Sequence, residues 1–348
     1  MTEVDNVVGA EGTLRASRSL KPGRIEGHNS EYRSGAYRIH RKLLHQLHVV
    51  INANRDKAAT KEKKVGNVTQ EKRKQVILGF FSDLLYLGYK IQTPSAISQK
   101  HLVAVFNLLE SQGQSPSTIQ NKISTMRIFC EWIGKPGMVM SSDKYVLDKT
   151  SVRRTGVVQE DKSWVGNGVD PIEVLAKIRA IKEETVAVWL EQCWAFGMRL
   201  RESVMLRPAV GNEGDALYVR EGTKGGRARF VPIENELQAA VLAKAQEIAD
   251  KKTGMLGGRG KTVEQKLRHF YYVMEKLGIT LAEEGVTAHG LRHQYMHAAY
   301  KGMTRQEPPI RGGDESLIDP AALHLAKQKL MERAGHTRVS IGPAYYGS

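Results

Sequence analysis

The chain has 348 residues, with 52 Lys and Arg against 37 Asp and Glu and a formal charge of +15 at pH 7. That length allows two domains with proper cores, and the charge points to a polyanionic partner, nucleic acid ahead of a membrane surface. No apolar run approaches the roughly 20 residues that span a bilayer, and the opening MTEVDNVVGAEGTLRA lacks the apolar core of a secretory signal. The two cysteines, Cys130 and Cys193, have no metal or redox spacing and read as reduced core thiols. The expectation is a cytoplasmic protein, associated with DNA or RNA and not with a membrane.

Residues 1–30 are rich in Gly, Ser and charge without periodicity, which predicts a mobile tail. Residues 31–65 read as a basic arm. Between Tyr32 and Lys74 there are twelve Lys and Arg against three Asp and Glu, while Leu43, Leu44, Leu47, Val50 and Ile51 keep helical spacing. That helix is equally readable as a DNA-contacting arm, through Arg41 and Lys42, or as a solvated helix packed on the next domain. Residues 66–134 predict a small helical domain. Its first helix carries Val76, Ile77, Phe80, Leu84 and Leu87 on one stripe. Ser98 then caps a helix running through Leu109, and Ser115-Pro116 starts another that Gly134 closes. On that last helix Ile119, Ile123, Met126 and Ile133 make the core side, leaving Lys122 and Arg127 to a ligand.

Residues 135–168, rich in Gly, Ser and charge, read as a linker with Trp164 holding its far end. The second domain, 169–348, opens at Asp170-Pro171-Ile172-Glu173, an N-cap followed by Pro at the first helical position. A helix runs to Phe196 and ends in Gly197-Met198-Arg199-Leu200-Arg201-Glu202. Two short β-like runs, 216–220 and 228–233, flank the basic Gly-rich tip Gly222-Thr223-Lys224-Gly225-Gly226-Arg227, a hairpin signal. Helices follow near 234–250, 262–277 and 288–301. Residues 307–320, with three prolines and a Gly-Gly pair, read as an exposed insertion, and a helix from about 320 to 334 ends at Gly335-His336. The fold class is mainly α with a small β-hairpin.

The stretch Thr287–Tyr300 holds the chemistry together. On a helix His289 and Arg292 stand at i and i+3 and point to one side, where a planar guanidinium fits phosphate oxygens and an imidazole adds a hydrogen bond or a proton. The stripe His289, His293, His297 mimics zinc-ligand spacing but lacks the glutamate of H-E-x-x-H, so no metal is expected. Gly260-Lys261-Thr262 has no glycine at the position a phosphate-binding loop requires, so no nucleotide cofactor is expected either.

Taken in order, Gly197–Glu202, Thr223–Arg227 with Phe230-Val231-Pro232-Ile233, His289-Gly290-Leu291-Arg292-His293, Ala334-Gly335-His336 and a tyrosine nine residues later resemble the boxes of the tyrosine recombinase (phage integrase) family. Ser98–Gly134 is similar to that family's core-binding domain. The resemblance implies a helical, SAM-like core-binding domain over 66–134 plus a catalytic domain of α+β type over 169–348, closing as a C-shaped clamp on duplex DNA. It departs from the family in Ala334, where Leu is usual, and in the long gap between Arg292 and His336, which the 307–320 insertion accounts for. The doublet Tyr345-Tyr346 leaves the nucleophile open by one position, with Tyr345 favoured.

What the resemblance implies for mechanism is a phosphodiester exchange without cofactor or metal. Tyr345 attacks the scissile phosphate and holds the strand as a 3′-phosphotyrosine. Arg199 and Arg292 neutralise the non-bridging oxygens, Lys224 protonates the leaving 5′-oxygen, His289 assists proton transfer, and His336 hydrogen-bonds a phosphate oxygen. Arg201 and Arg227 join Arg41, Lys42, Lys122 and Arg127 as DNA contacts. The implied partners are double-stranded attachment sites, a homotetramer on DNA, and a directionality or DNA-bending factor, in the service of a mobile element. Two rival readings are a type IB topoisomerase-like nicking and religating enzyme, and a DNA-binding protein of the same fold without catalysis.

Overall fold

A computed structural model of the protein describes residues 38–57 and 64–348; the tail expected over 1–30 and parts of the basic arm lie outside them. The chain divides into two units, residues 1–154 and 155–348. In the first, α1 (Arg41–Asn54) turns Leu43, Leu47 and Ile51 into the unit's core, so this basic helix packs by its apolar stripe and leaves Arg41 and Lys42 exposed. Helix α2 (Asn67–Tyr86) buries Ile77, Phe80, Phe81 and Leu84. The predicted stripe is displaced at its end: Leu87 is exposed and Phe81 takes the inner position, because the helix gives way at Leu87 to a left-handed Gly88.

Helices α3 (Gln99–Ser111) and α4 (Pro116–Trp132) begin where their caps require. The Ser98 amide donates to Nδ1 of His101 at 3.0 Å, and the Ser115 hydroxyl accepts from the Thr118 amide ahead of Pro116. They bury Leu102, Val105, Phe106 and Leu109 against Ile119, Ile123, Met126 and Phe129, with Ile133 half-buried at the edge. Val139, Tyr145 and Val152, from the stretch expected as a linker, enter the same core. Tyr145 donates its hydroxyl to Gln99 Oε1 at 3.0 Å and accepts from the Met140 amide at 2.8 Å.

The second unit starts with α5 (Pro171–Ala180), capped by Asp170. Helix α6 (Glu184–Phe196) follows, buried nearly all round through Val186–Leu190, Cys193, Ala195 and Phe196. Next come α7 (Leu200–Met205), α8 (Pro208–Gly211) and the hairpin β1 (Ala216–Val219) and β2 (Arg229–Pro232), antiparallel with Ala216 opposite Pro232 and Val219 opposite Arg229. The chain continues through α9 (Glu236–Ile248), α10 (Val263–Lys276), α11 (Ala288–Thr304), α12 (Pro320–Arg333) and the one-turn α13 (Pro343–Tyr346). Thr262 caps α10, which is the use this chain makes of its Gly-Lys-Thr.

Helix α11 packs against α6, α12 and α13. Trp164 is fully buried, and its indole N–H donates to the Thr287 carbonyl at 2.7 Å. It meets α11 at Gly290, where a Cβ would lie 2.5 Å from the Lys162 carbonyl oxygen and 2.9 Å from the indole. The small residue inside the His-x-x-Arg box therefore sets how closely α11 approaches this tryptophan.

Candidate active site

The site is assembled where the ends of α6 and α12 meet the first two turns of α11. Helix α6 stops at Gly197, whose φ of 59° turns the chain left-handed and whose missing Cβ makes room for the Tyr295 ring, 2.4 Å from where that atom would stand. The turn delivers Arg199 as the N-cap of α7. Its amide donates to Glu202 Oε2 at 2.8 Å and its guanidinium to Oε1 at 2.7 Å. Arg229, at the start of β2, closes on the same carboxylate with bonds of 3.0 and 2.7 Å. Glu202 is completely buried. Burial alone would raise its pKa, but the hydrogen bonds and charge of Arg229, then the charge of Arg199, pull it down to about 2.

Arg292 is also completely buried, and its fork is spent on three elements. One terminal nitrogen donates to the Gly197 carbonyl at the end of α6 and the other to the Ala334 carbonyl at the end of α12. Both are helix C-termini, where the dipole favours a cation. Nε donates to the phenol oxygen of Tyr345 at 3.2 Å, and the guanidinium carbon lies 5.4 Å from that ring's centre. Burial lowers the pKa of Arg292, although arginine starts high enough to keep its charge.

His336 follows Gly335, the left-handed residue that ends α12, and its Nε2 lies 3.0 Å from Tyr345 Oη. Arg292 donates to one lone pair of that oxygen, and the phenol's own proton can point at His336 when the imidazole proton is on Nδ1. Burial, then Arg292, Arg199 and Lys224, push His336 down to about 4; burial and the same two arginines push His289 to about 4. Both rings are neutral at pH 7. His289 keeps an exposed edge and stands 6.2 Å from the Tyr345 ring, while His293, buried and lowered to about 3, stands 5.1 Å from it.

The structure thus gathers Arg199, His289, Arg292, His336 and Tyr345. Tyr346 points the other way, buried against Tyr300 at 5.2 Å and under Lys327, and burial raises its pKa. Lys224 and Arg227 stand exposed at the hairpin tip, and among the described residues Lys224 makes no hydrogen bond or ion pair. Arg201 pairs with Glu264 at 3.2 Å on the surface. In the first unit Arg127 donates to the Met140 carbonyl, and Lys122 is half-buried in a cleft of about 570 Å³ between α2 and α4. Arg229 and Glu202 are the pair that sequence reasoning undervalued. The signal was present in the period of β2, which sends Arg229 inward beside Val231 and Phe230 outward, so that a charge forced inward needs a partner.

Residues 170–298 match the integrase family model. The second unit has the fold of the tyrosine recombinase catalytic domain. Comparison with solved structures gives the same fold. A lambda integrase dimer bound to a core site matches at 14% identity and a TM-score of 0.52, over 84% of this chain and 96% of that one. The Tn1549 transposon integrase in complex with transposon right-end DNA matches at 12% and 0.53, over 87% and 94%. The XerH site-specific recombinase, in a post-cleavage complex with its palindromic difH substrate, matches at 15% and 0.50, over 95% and 87%. Comparison with curated protein sequences finds no match. In this fold the stretch that resembles the first-arginine box follows the end of α6, the one that resembles the lysine hairpin is β1–β2, and the one that resembles the His-x-x-Arg box opens α11. Position 334 offers its carbonyl to Arg292, a contact that any residue's backbone can make.

Proposed function

We propose that the chain is a site-specific DNA recombinase that cuts and rejoins duplex DNA through Tyr345, in the service of a mobile element. The observation that carries this reading is one oxygen atom: Tyr345 Oη is held at once by Arg292 and His336, beside an Arg199 that Glu202 keeps in place. A phenol with pKa near 10 is a weak nucleophile at neutral pH. Neutral His336 is placed to take its proton, and as Oη moves onto the scissile phosphorus, Arg292 Nε exchanges it for a non-bridging phosphate oxygen. Arg199 and Arg292 then carry the negative charge that builds on the phosphorane-like transition state. The P–O5′ bond breaks, a 3′-phosphotyrosyl bond forms, and Lys224 on its exposed tip protonates the departing 5′-oxygen to a hydroxyl. A 5′-hydroxyl from a second duplex reverses the step, and the ester conserves the bond energy for rejoining. His289 assists the proton transfers. Arg41, Lys42, Lys122, Arg127, Arg201 and Arg227 contribute phosphate contacts, and two sites are joined within a homotetramer.

The test uses a duplex selected for binding by the full-length protein from a random library. Two such duplexes of different length are incubated with protein in a chelator. Exchange of flanks between them is expected. Relaxation of a supercoiled plasmid carrying the site, with no exchange between duplexes, would replace the recombinase by the topoisomerase-like reading, and neither product would leave a DNA-binding protein.

A further inference from the structure

The nucleophile's side chain must move to reach phosphorus, yet it rides on α13, a single turn that cannot persist by its own hydrogen bonds. Something outside α13 has to hold its main chain. The last carbonyls of a helix have no partner within it, and here the Tyr345 carbonyl accepts from Nε2 of His297 at 2.8 Å. His297 is itself almost completely buried. It lies on α11 one and two turns beyond His293 and His289, so the helix that presents Arg292 to the phenol also presents His297 to the backbone of the same residue. A carbonyl can only accept, so His297 carries its proton on Nε2 and is a fixed donor.

Behind the imidazole lie Asp161 and Arg311. Asp161 Oδ1 faces Nδ1 at 3.7 Å, accepts from the Ser163 amide at 2.8 Å, and its partner oxygen Oδ2 is joined to Arg311 Nε at 2.9 Å. Burial raises the Asp161 pKa, but the hydrogen bonds from Ser163 and Arg311 outweigh it and keep the carboxylate ionised. Arg311 belongs to the 307–320 segment, whose Ile310 backbone packs against Gly347, close enough that a Cβ on that glycine would sit 3.0 Å from the Ile310 amide nitrogen. The first part of the insertion, residues 307–311, is therefore half-buried and folded onto the back of α13, while Gly312, Asp314, Ser316, Leu317, Asp319 and Pro320 are exposed as expected.

We infer that His297 is a positioning residue for the nucleophile: it pins the main chain of Tyr345 so that the phenol swings from Arg292 to phosphorus about fixed backbone atoms. The inference rests on the assignment of Tyr345 as the nucleophile. A catalytic group set loose by about 1 Å loses on the order of 100-fold in rate. In the full-length protein, His297→Ala is expected to slow single-turnover formation of the covalent adduct on a nicked duplex by roughly 10- to 100-fold while leaving DNA affinity unchanged. His297→Gln, whose amide can still donate to the carbonyl, is expected to recover most of that rate. Amide hydrogen exchange over residues 343–347 of the free protein should speed up in the alanine variant and return towards wild type in the glutamine variant. Wild-type adduct rate and wild-type exchange in His297→Ala would overturn the inference, as would a slow alanine variant whose exchange is unchanged and which glutamine does not rescue. A wild-type protein that forms no Tyr345 adduct would remove the recombinase reading itself, and the exchange comparison would still decide whether His297 holds the tail.

Discussion

Glu202 is the residue on which the site's cations depend. It is buried, ionised, and shared between Arg199 and Arg229, so its carboxylate compensates one fully buried guanidinium and aims a partly exposed one. Removing one partner of such a pair leaves an uncompensated charge in a dry environment, at about 3–5 kcal/mol. Glu202→Ala is expected to lower unfolding stability by about that amount in urea titration, and to weaken strand cleavage further through Arg199. A loss below about 1 kcal/mol, the range of surface pairs, would show that Arg229 finds another partner. The residue type and its place in the arginine box were legible in the sequence, since a glutamate three positions after an N-cap suits a capping interaction. Its second partner was not, because Glu202 and Arg229 meet only through the tertiary placement of the hairpin.

At the scale of elements, α11 is the one whose position matters most, and two of its glycines separate packing from propensity. A Cβ at Gly290 would collide with the Lys162 carbonyl and Trp164, whereas one at Gly302 on the same helix would meet nothing within 4 Å. Gly290→Ala is expected to cost about 1–3 kcal/mol by pushing α11 off Trp164, with a loss of near-ultraviolet signal from that indole. Gly302→Ala is expected to stabilise by roughly 0.5–1 kcal/mol, since it only removes freedom from the unfolded chain. Thermal unfolding of the pair decides it; equal effects would mean that the Trp164 contact does not constrain the helix. The helices themselves were readable because caps and 3.6-residue spacing are local. The destination of residues 139–152, which supply Val139, Tyr145 and Val152 to a core, was not readable, because a Gly-, Ser- and charge-rich stretch with isolated apolar residues has no period to follow. The same reason hid the inward packing of 307–311.

For the whole molecule, the charge of +15 pointed to a polyanionic partner, and among the described residues no helix is long and apolar enough to cross a membrane. Composition could not announce the acid sensitivity built into the second unit. His293 and His297 are buried, and burial holds both below the ordinary value of 6.5, His293 at about 3. As pH falls the unfolded chain takes up these protons first, so stability is fully present above about pH 6.5 and declines below it, by about 1.4 kcal/mol per pH unit for each such histidine. Glu202, held at about 2, adds a further loss below its ordinary value of 4.5. The melting temperature of the full-length protein is expected to fall steadily from pH 6.5 to pH 4, and a flat profile would contradict the burial of these rings.

The most direct test of the central claim is to identify the residue that carries the DNA. A nicked duplex bearing the selected site would be incubated with wild-type protein, Tyr345→Phe and Tyr346→Phe, the adducts digested, and the nucleotide-bearing peptide sequenced by mass spectrometry. The account predicts a 3′-phosphate on Tyr345, absent from Tyr345→Phe and retained in Tyr346→Phe, because the Tyr346 hydroxyl is buried and has no hydrogen-bond partner among the described residues. A phosphate on Tyr346, or an adduct that survives Tyr345→Phe, would contradict it.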